Sequence, residues 1–301
     1  MTRTCGSAKR QRVASFESAL ANVDVVSQLA AFLEAKELCQ VKATCKALGS
    51  ANDDAAVNWL SVTEEAARRI FEGASDEEKA MLPRYDGESW IVLYHHLLML
   101  RTRLTFDQLI GNDVEYHGGD KDAVQGISRY GFGLSICGEH IMRAGKHWAT
   151  FTSSPGVGTG HSSQIVGLVR PLPGWDKRGL EDFDPSDVDL HEELLRENTG
   201  RWEGDVHYCS FTMESGDFLW SAWHDKNKCK NWEGRDNFDT DDEMIGMLLD
   251  LDNGALSVYQ KGEKLGTLKD GLAGEYCWTT WLFGVGHSSI ERGYNGNVLS
   301  H

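Results

Sequence analysis

Two rhythms of apolar and polar positions divide this chain into unlike halves. From Ser18 to about residue 104, apolar residues recur at three and four residue steps. Val25, Val26, Leu29, Phe32 and Leu33 form one set, Leu38, Val41, Cys45 and Leu48 a second, and Trp90, Leu93, Tyr94, Leu97 and Leu100 a third. That spacing places each set on one side of a helix and predicts that the helix buries it. Gly49 stands where the second helix stops, Asn52-Asp53-Asp54 is a turn cluster able to cap the next, and Trp59 and Leu60 add apolar mass. After about Thr105 the period shortens to two. Ile245, Met247, Leu249 and Leu251 alternate onto one face, Asp252-Asn253-Gly254 supplies residues that tolerate positive φ, and Leu256 and Val258 line a second strand. Lys261-Gly262-Glu263 turns the chain again before Leu265-Gly266-Thr267-Leu268. Three strands joined this tightly form a meander that buries a face against another sheet, which predicts a sandwich rather than a βαβ unit. Gly145 to Phe151, Gln164 to Val169 and Tyr208 to Thr212 read as further strands of it.

The expected fold class is therefore multi-domain α + β, a small N-terminal helical bundle followed by an antiparallel β-sandwich. At 301 residues the chain exceeds the usual size of one domain of roughly 100 to 200 residues. The patterns set the divisions at 1–15, a polar and basic tail expected to be disordered; 16–62, a helical module; 63–104, a helical linker packed on it; and 105–295, the sandwich. Residues 171–205 interrupt the sandwich with an acidic, Pro-containing insert longer than a hairpin needs, either a binding element or a poorly ordered loop.

Composition narrows the partners. A net charge of -16 repels a phosphate backbone or an anionic membrane surface, so a protein or neutral ligand fits better than nucleic acid or membrane. Seven scattered cysteines with no CxxC pair point to reduced thiols in cytosol or nucleus. No apolar run reaches the roughly 18 residues a membrane span needs, and no secretory signal is expected at the N-terminus. Lys9-Arg10-Gln11-Arg12 reads as a weak nuclear address or as part of a solvated tail.

Candidate chemistry is sparse. Asp239, Asp241 and Glu243 would share one face of an extended strand, as paired carboxylates do in glycoside hydrolysis, but a solvated acidic loop explains the run as well. The spacing is not that of a Ca²⁺ loop. His140, His147, His161, His207, His224 and His287 are dispersed without HExxH or CxxC, so neither a metal nor a cofactor is expected. Gly156-Val157-Gly158-Thr159-Gly160 lacks the Lys-Ser/Thr of a phosphate cradle and reads as a hairpin tip. No nucleophile motif stands out, and an enzyme is not expected. Ten tryptophans are many for one chain, and Trp175, Trp220, Trp223, Trp232, Trp278 and Trp281 gather in the β half, as core or as interface anchors. Trp220 and Trp223, at odd spacing, point to opposite strand faces or into a loop, so at most one is buried inside the sandwich.

Leu249-Asp250, Asp252, Gly254, Leu256-Ser257, Tyr259, Gly262 and Leu265-Gly266 resemble the central signature of SPRY (B30.2-like) domains. Gly145-Lys146-His147-Trp148, Ile165-Val166-Gly167-Leu168, Tyr276 and Phe283-Gly284 continue the resemblance over roughly residues 105 to 294. It implies a concanavalin-like jelly roll that binds another protein through loops at one end, with Phe283 and Gly284 as contacts and, before the first core strands, Arg129 and Tyr130; Trp220 and Trp223 complete the target-binding set. The N-terminal stripe resembles an F-box: Val26, Leu29, Phe32, Leu33, Leu38, Val41 and Cys45 stand at its apolar and Cys-Lys/Arg positions, and Trp59 at its later Trp. Val23-Asp24 stands where the family opens on Leu-Pro, and Ser89-Trp90 with Tyr94 resembles the helix often found just after an F-box. These resemblances imply a non-catalytic receptor that joins a target protein to the Skp adaptor and cullin of a ubiquitin ligase. The rival expectations are an interaction scaffold unrelated to ubiquitin and a carbohydrate-binding or carbohydrate-active sandwich.

Overall fold

The computed structural model describes residues 23–30, 33, 35–44, 60–155, 162–181, 183–223, 225–229 and 231–293. Contacts divide the chain between Thr102 and Arg103 into a helical unit and a β unit.

In the helical unit, α1 (Val23–Ala30), α2 (Ala35–Thr44), α3 (Val62–Glu72), α4 (Asp76–Met81) and α5 (Trp90–Arg101) are among the described elements. Each of the last three begins at a serine whose hydroxyl accepts a backbone N–H of the first turn: Ser61 from Glu64, Ser75 from Glu78 and Ser89 from Val92. Ser75 and Glu78 complete a reciprocal capping box. Val26, Ala30 and Leu38 pack with Val62, Ala66, Ala67, Ile91 and Tyr94 into one core, so α1 and α2 bury apolar side chains together with α3 and α5. The Tyr94 hydroxyl reaches Ala30 O at 2.8 Å, which also accepts the Leu33 N–H, and Leu33 O at 3.0 Å, tying α5 to the chain at the end of α1. Tyr94→Phe is expected to lower the stability of this unit by about 1–2 kcal/mol, read as a shift in its denaturant midpoint; an unchanged midpoint would mean that water replaces the hydroxyl at no cost.

The first apolar stripe is not buried as a whole. Val26 is 3% exposed, but Val25 is 37% and Leu29 48% exposed. Positions 26 and 30 share the ridge that faces α3 and α5, whereas 25 and 29 lie on the next ridge and face out. Phe32, the side chain of Val41, Cys45, Leu48 and Trp59 lie outside the described residues, as does the glycine run at 156–160.

The β unit is two antiparallel sheets, so the α + β class with a β-sandwich stands. The first sheet has the order β1-β4-β13-β6-β7-β8-β9 and the second β12-β11-β10-β5-β14-β3-β2. Their strands are β1 (Gln108–Ile110), β2 (Val114–Tyr116), β3 (Ala123–Gly126), β4 (Phe132–Ile136), β5 (Lys146–Pro155), β6 (Ser163–Val169), β7 (Val206–Thr212), β8 (Phe218–Ala222), β9 (Asp225–Cys229), β10 (Met244–Asp250), β11 (Ala255–Gln260), β12 (Glu263–Lys269), β13 (Cys277–Phe283) and β14 (Gly286–Arg292). The meander takes the expected register, Leu249 opposite Leu256 and Gln260 opposite Glu263. Lys261 at φ 52° and Gly262 at φ 87° make its second turn, with both central residues in the left-handed region that a tight hairpin needs. Ile245, Met247, Leu249, Leu256 and Val258 of the second sheet meet Val166, Leu168, Phe211, Trp278 and Leu282 of the first in the central core.

The insert is an ordered cover. Leu172, Trp175, Phe183, Leu194 and Trp202 pack on Ile110, Leu134, Ile136, Val169, Tyr208 and Cys277, which line the outer face of the first sheet. That face carries too much apolar surface to meet water, and each large side chain buried there contributes about 2 kcal/mol. Within the cover lies α6 (His191–Arg196). The acidic run, in contrast, forms no strand face. Residues 239–243 are a turn in which Asp239 Oδ1 accepts the Asp241 N–H at 3.0 Å, Asp242 Oδ1 accepts the Met244 N–H at 3.1 Å, and Asp239 Oδ2 pairs with Lys261 at 2.5 Å. Side-chain acceptance of nearby backbone donors holds the run in turns, so the carboxylates do not align as a catalytic pair.

Candidate binding loops

β13 carries the site by simple alternation. Trp278 and Leu282 point into the central core, which leaves Trp281 and Phe283 on the outer face, where Trp281 also packs at the margin of the cluster that the insert covers. Phe283 pairs in register with Phe132 at the start of β4. The Phe132 ring lies 4.8 Å from that of Phe283 and 5.1 Å from that of Trp281, stacked on the latter at 26°. All three are half-buried, and the Trp281 indole N–H is turned away from water without a partner. The result is an apolar platform with one unused donor.

Glycines bring the loops onto this platform. A Cβ on Gly126 would stand 2.0 Å from Gly284 O, and one on Gly131 would stand 2.1 Å from the Asp113 carboxyl. Only bare backbone lets these segments approach, and Gly284 at φ 78° completes the turn that follows Phe283. The Gly284 N–H donates to Gly131 O at 3.2 Å and the Ile127 N–H to Asp113 O at 3.0 Å, so the β1–β2, β3–β4 and β13–β14 connections are tied together. From this base Tyr130, 73% exposed, and Ile127, 51% exposed, project into solvent. The Arg129 guanidinium sits 5.6 Å from the Tyr130 ring centre.

Of the six residues expected to bind a target, four therefore meet: Arg129, Tyr130, Phe283 and Gly284. Trp220 and Trp223 do not join them. Trp220, on β8, packs toward the central core, 5.7 Å from Phe218 with Lys269 over its ring at 5.5 Å. Trp223 packs on the opposite face, against the insert, stacked 5.8 Å from Trp202 and 4.2 Å from His207. The opposite-face expectation for this pair holds. Phe132, Trp281 and Ile127 are additions made by structure. Phe132 announces itself only as the first apolar residue after a Tyr-Gly turn, and its register with Phe283 is set 151 positions away.

The helical unit offers a different surface. Val26 and Leu38 are 3% and 0% exposed, so they hold the unit together and have no face for a partner. Leu29 is outward and Leu33 half-buried. A separate cleft of about 400 Å³ lies at the far end of the first sheet, between Thr105–Gln108, Gly138–Ile141 and Pro171–Lys177. Burial pushes its Asp107 carboxyl up to about 6, and Asp107 accepts the Glu139 N–H at 3.0 Å, so this carboxylate serves the β4–β5 turn.

No family model matches the chain, and no curated protein does. Among solved structures, the chain is similar to the SPRY domain of human HERC1 at 11% identity, over 62% of this chain and 96% of that one, with a TM-score of 0.39. It is also similar to the TRIM65 PSpry domain at 14% identity, over 66% of this chain and 95% of that one, with a TM-score of 0.37.

Proposed function

We propose that residues 103–293 are a SPRY-type protein-interaction module whose loops around Phe283 capture a segment of a target protein. The observation that carries the reading is the coincidence of Tyr130, Ile127 and Arg129 with the Phe132–Trp281–Phe283 platform on one glycine-tied base. Large exposed aromatic and arginine side chains beside a rigid apolar floor are the features of binding hot spots. The reading extends to the helical unit: its outward Leu29 and half-buried Leu33 engage a Skp-type adaptor, and the chain then delivers its target to a cullin ubiquitin ligase. Such a receptor contributes no catalytic group and works by raising effective concentration.

Affinity purification of the full chain with mass spectrometry tests both parts. Phe283→Ala is expected to cost about 2 kcal/mol of target binding, roughly a 30-fold loss, with the adaptor retained. Leu29→Glu is expected to remove adaptor and cullin while target capture persists, because the site is exposed and the core beneath it is intact. Target capture insensitive to both Phe283→Ala and Tyr130→Ala would sink the loop assignment. Absence of adaptor and cullin from the wild-type purification would leave an interaction module unrelated to ubiquitin, a reading that the burial of Val26 and Leu38 favours.

A further inference from the structure

The insert is held to the sheet by a contact that the binding loops do not use. His207, on β7, is 1% exposed. Its Nε2 lies 3.1 Å from Pro185 O, which can only accept, so Nε2 carries the proton and Nδ1 is the bare nitrogen. Nδ1 has no hydrogen-bond partner, and neither does Nε2 of His191, the first residue of α6. The ring centres of His207 and Trp223 are 4.2 Å apart, those of His207 and His191 4.8 Å, and those of His191 and Trp223 6.4 Å. These separations make a right triangle at His207: Trp223 covers the face of its ring and His191 meets its edge. Two imidazoles are thus in contact across the interface between cover and sheet, each with a nitrogen that has no partner.

No anion stands ready to accept a second charge there. The charged groups acting on His207 are His191, from the cover, and Arg170, from β6. Among the described residues the nearby carboxylates of the cover are engaged elsewhere: Asp184 with Ser186 at 2.7 Å, Asp187 with the Asp189 N–H at 2.9 Å, Glu192 with Arg196 at 3.8 Å, and Glu193 and Glu197 with Arg178. Protonating His207 would place a buried cation against the edge of His191 and within reach of the Arg170 charge, with a desolvation cost that none of these carboxylates repays.

We propose that the His191–His207 contact is an acid-sensitive latch whose protonation releases residues 183–202 from the outer face of the first sheet. The ends of the segment stay fixed. Arg170 binds Glu203 O and Val206 O on one side, and the Asn112 N–H donates to Glu181 O at 3.1 Å on the other, so the opening is a flap and not an unfolding. Release uncovers Leu134, Ile136, Val169, Tyr208 and Cys277, an apolar surface hidden at neutral pH.

The direction follows from linkage. Burial, then His191, pull the His207 imidazole down to about 3 in the closed form. A histidine so lowered leaves the closed form fully stable above its ordinary value of about 6.5, and that stability is lost as pH falls below it. The opening equilibrium therefore rises about tenfold per pH unit, or roughly 30-fold at pH 5 relative to neutral. His147, lowered to about 4 by burial on β5, adds a dependence that acts on the whole sandwich, so the central strands supply an internal reference.

Hydrogen exchange on the full chain at pH 7 and pH 5, corrected for intrinsic rates, tests the latch. The amides of 183–202 are expected to lose about 30-fold in protection, well beyond those of β10 and β11, and His207→Gln to abolish the difference. Should His207→Gln fail to fold, the pH profile of the full chain decides: the differential loss is expected to begin below about pH 6.5 and to grow about tenfold per unit, and a differential loss independent of pH over that range would overturn the proposal. Protection of 183–202 that falls only in step with the central strands, or a differential loss unchanged in a folded His207→Gln protein, would overturn it as well.

Discussion

Arg170→Met is expected to destabilise the β unit by about 3–5 kcal/mol, the largest effect of any single replacement proposed for this chain. Arg170 is 1% exposed and lies at the end of β6. Its Nε donates to Val206 O at 3.0 Å, its Nη1 to Ala273 O at 2.8 Å and Glu275 O at 2.9 Å, and its Nη2 to Glu203 O at 2.5 Å. The guanidinium also stacks 3.9 Å from the centre of the Tyr276 ring, whose hydroxyl donates to Val206 O at 2.9 Å. One side chain thereby clamps the end of the insert, the start of β7 and the segment before β13. Methionine fills much of the volume but takes the guanidinium donor from the Ala273, Glu275 and Glu203 carbonyls, each costing about 1 kcal/mol or more, while Val206 O keeps only the Tyr276 hydroxyl. Glu275 offers no relief, because its carboxylate, which faces Arg143 at 3.2 Å and Arg201 at 3.7 Å, has no proton to give to a carbonyl. Arg170→Lys is expected to recover less than half of the loss, since an ammonium is a point donor and cannot span carbonyls that a planar fork reaches. Urea unfolding with unchanged slope measures both. A shift equivalent to less than about 1 kcal/mol for Arg170→Met would show that water enters and takes over the carbonyls.

The second large effect is expected at Gly126. An added methyl would lie 2.0 Å from Gly284 O, a backbone atom that moves only if the β13–β14 turn moves with it. Overpacking against backbone places Gly126→Ala near 3 kcal/mol of destabilisation. The functional consequence is sharper than the thermal one. Phe283 immediately precedes the displaced turn and Gly284 holds Gly131 O at 3.2 Å, so the platform and the loop carrying Tyr130 shift together. Target binding should fall at least tenfold, about 1.4 kcal/mol, at temperatures where circular dichroism still reports a folded sandwich. Full binding by a folded Gly126→Ala protein would mean that Phe283 is not in the contact.

Much of the fold is legible in local pattern. The alternation from Ile245 to Val258 names strands and faces, and Lys261-Gly262 names a turn, because both depend on steric preferences within a few residues of chain. Ser89 before Trp90 announces a helix start for the same reason. Where local pattern misleads, burial is decided by distant neighbours. Leu29 belongs to the same stripe as Val26, yet only the ridge of 26 and 30 finds α3 and α5 beneath it. Carboxylates at 239, 241 and 243 alternate as if in a strand, yet Asp239 and Asp242 accept backbone donors and hold the run in a turn.

By itself the sequence determined the two-part division into helices and strands, the antiparallel meander and the residues of its turns, all consequences of periodicity and backbone sterics. Only the tertiary structure decided that the acidic insert is a cover, that Arg170 is its clamp, and that Phe132 joins Phe283 while Trp223 goes to the opposite end. Those facts join groups such as Arg170 and Ala273, or Phe132 and Phe283, that lie more than a hundred residues apart. Such pairings are set by which strands become neighbours and which outer face stays apolar, and no local spacing along the chain encodes either.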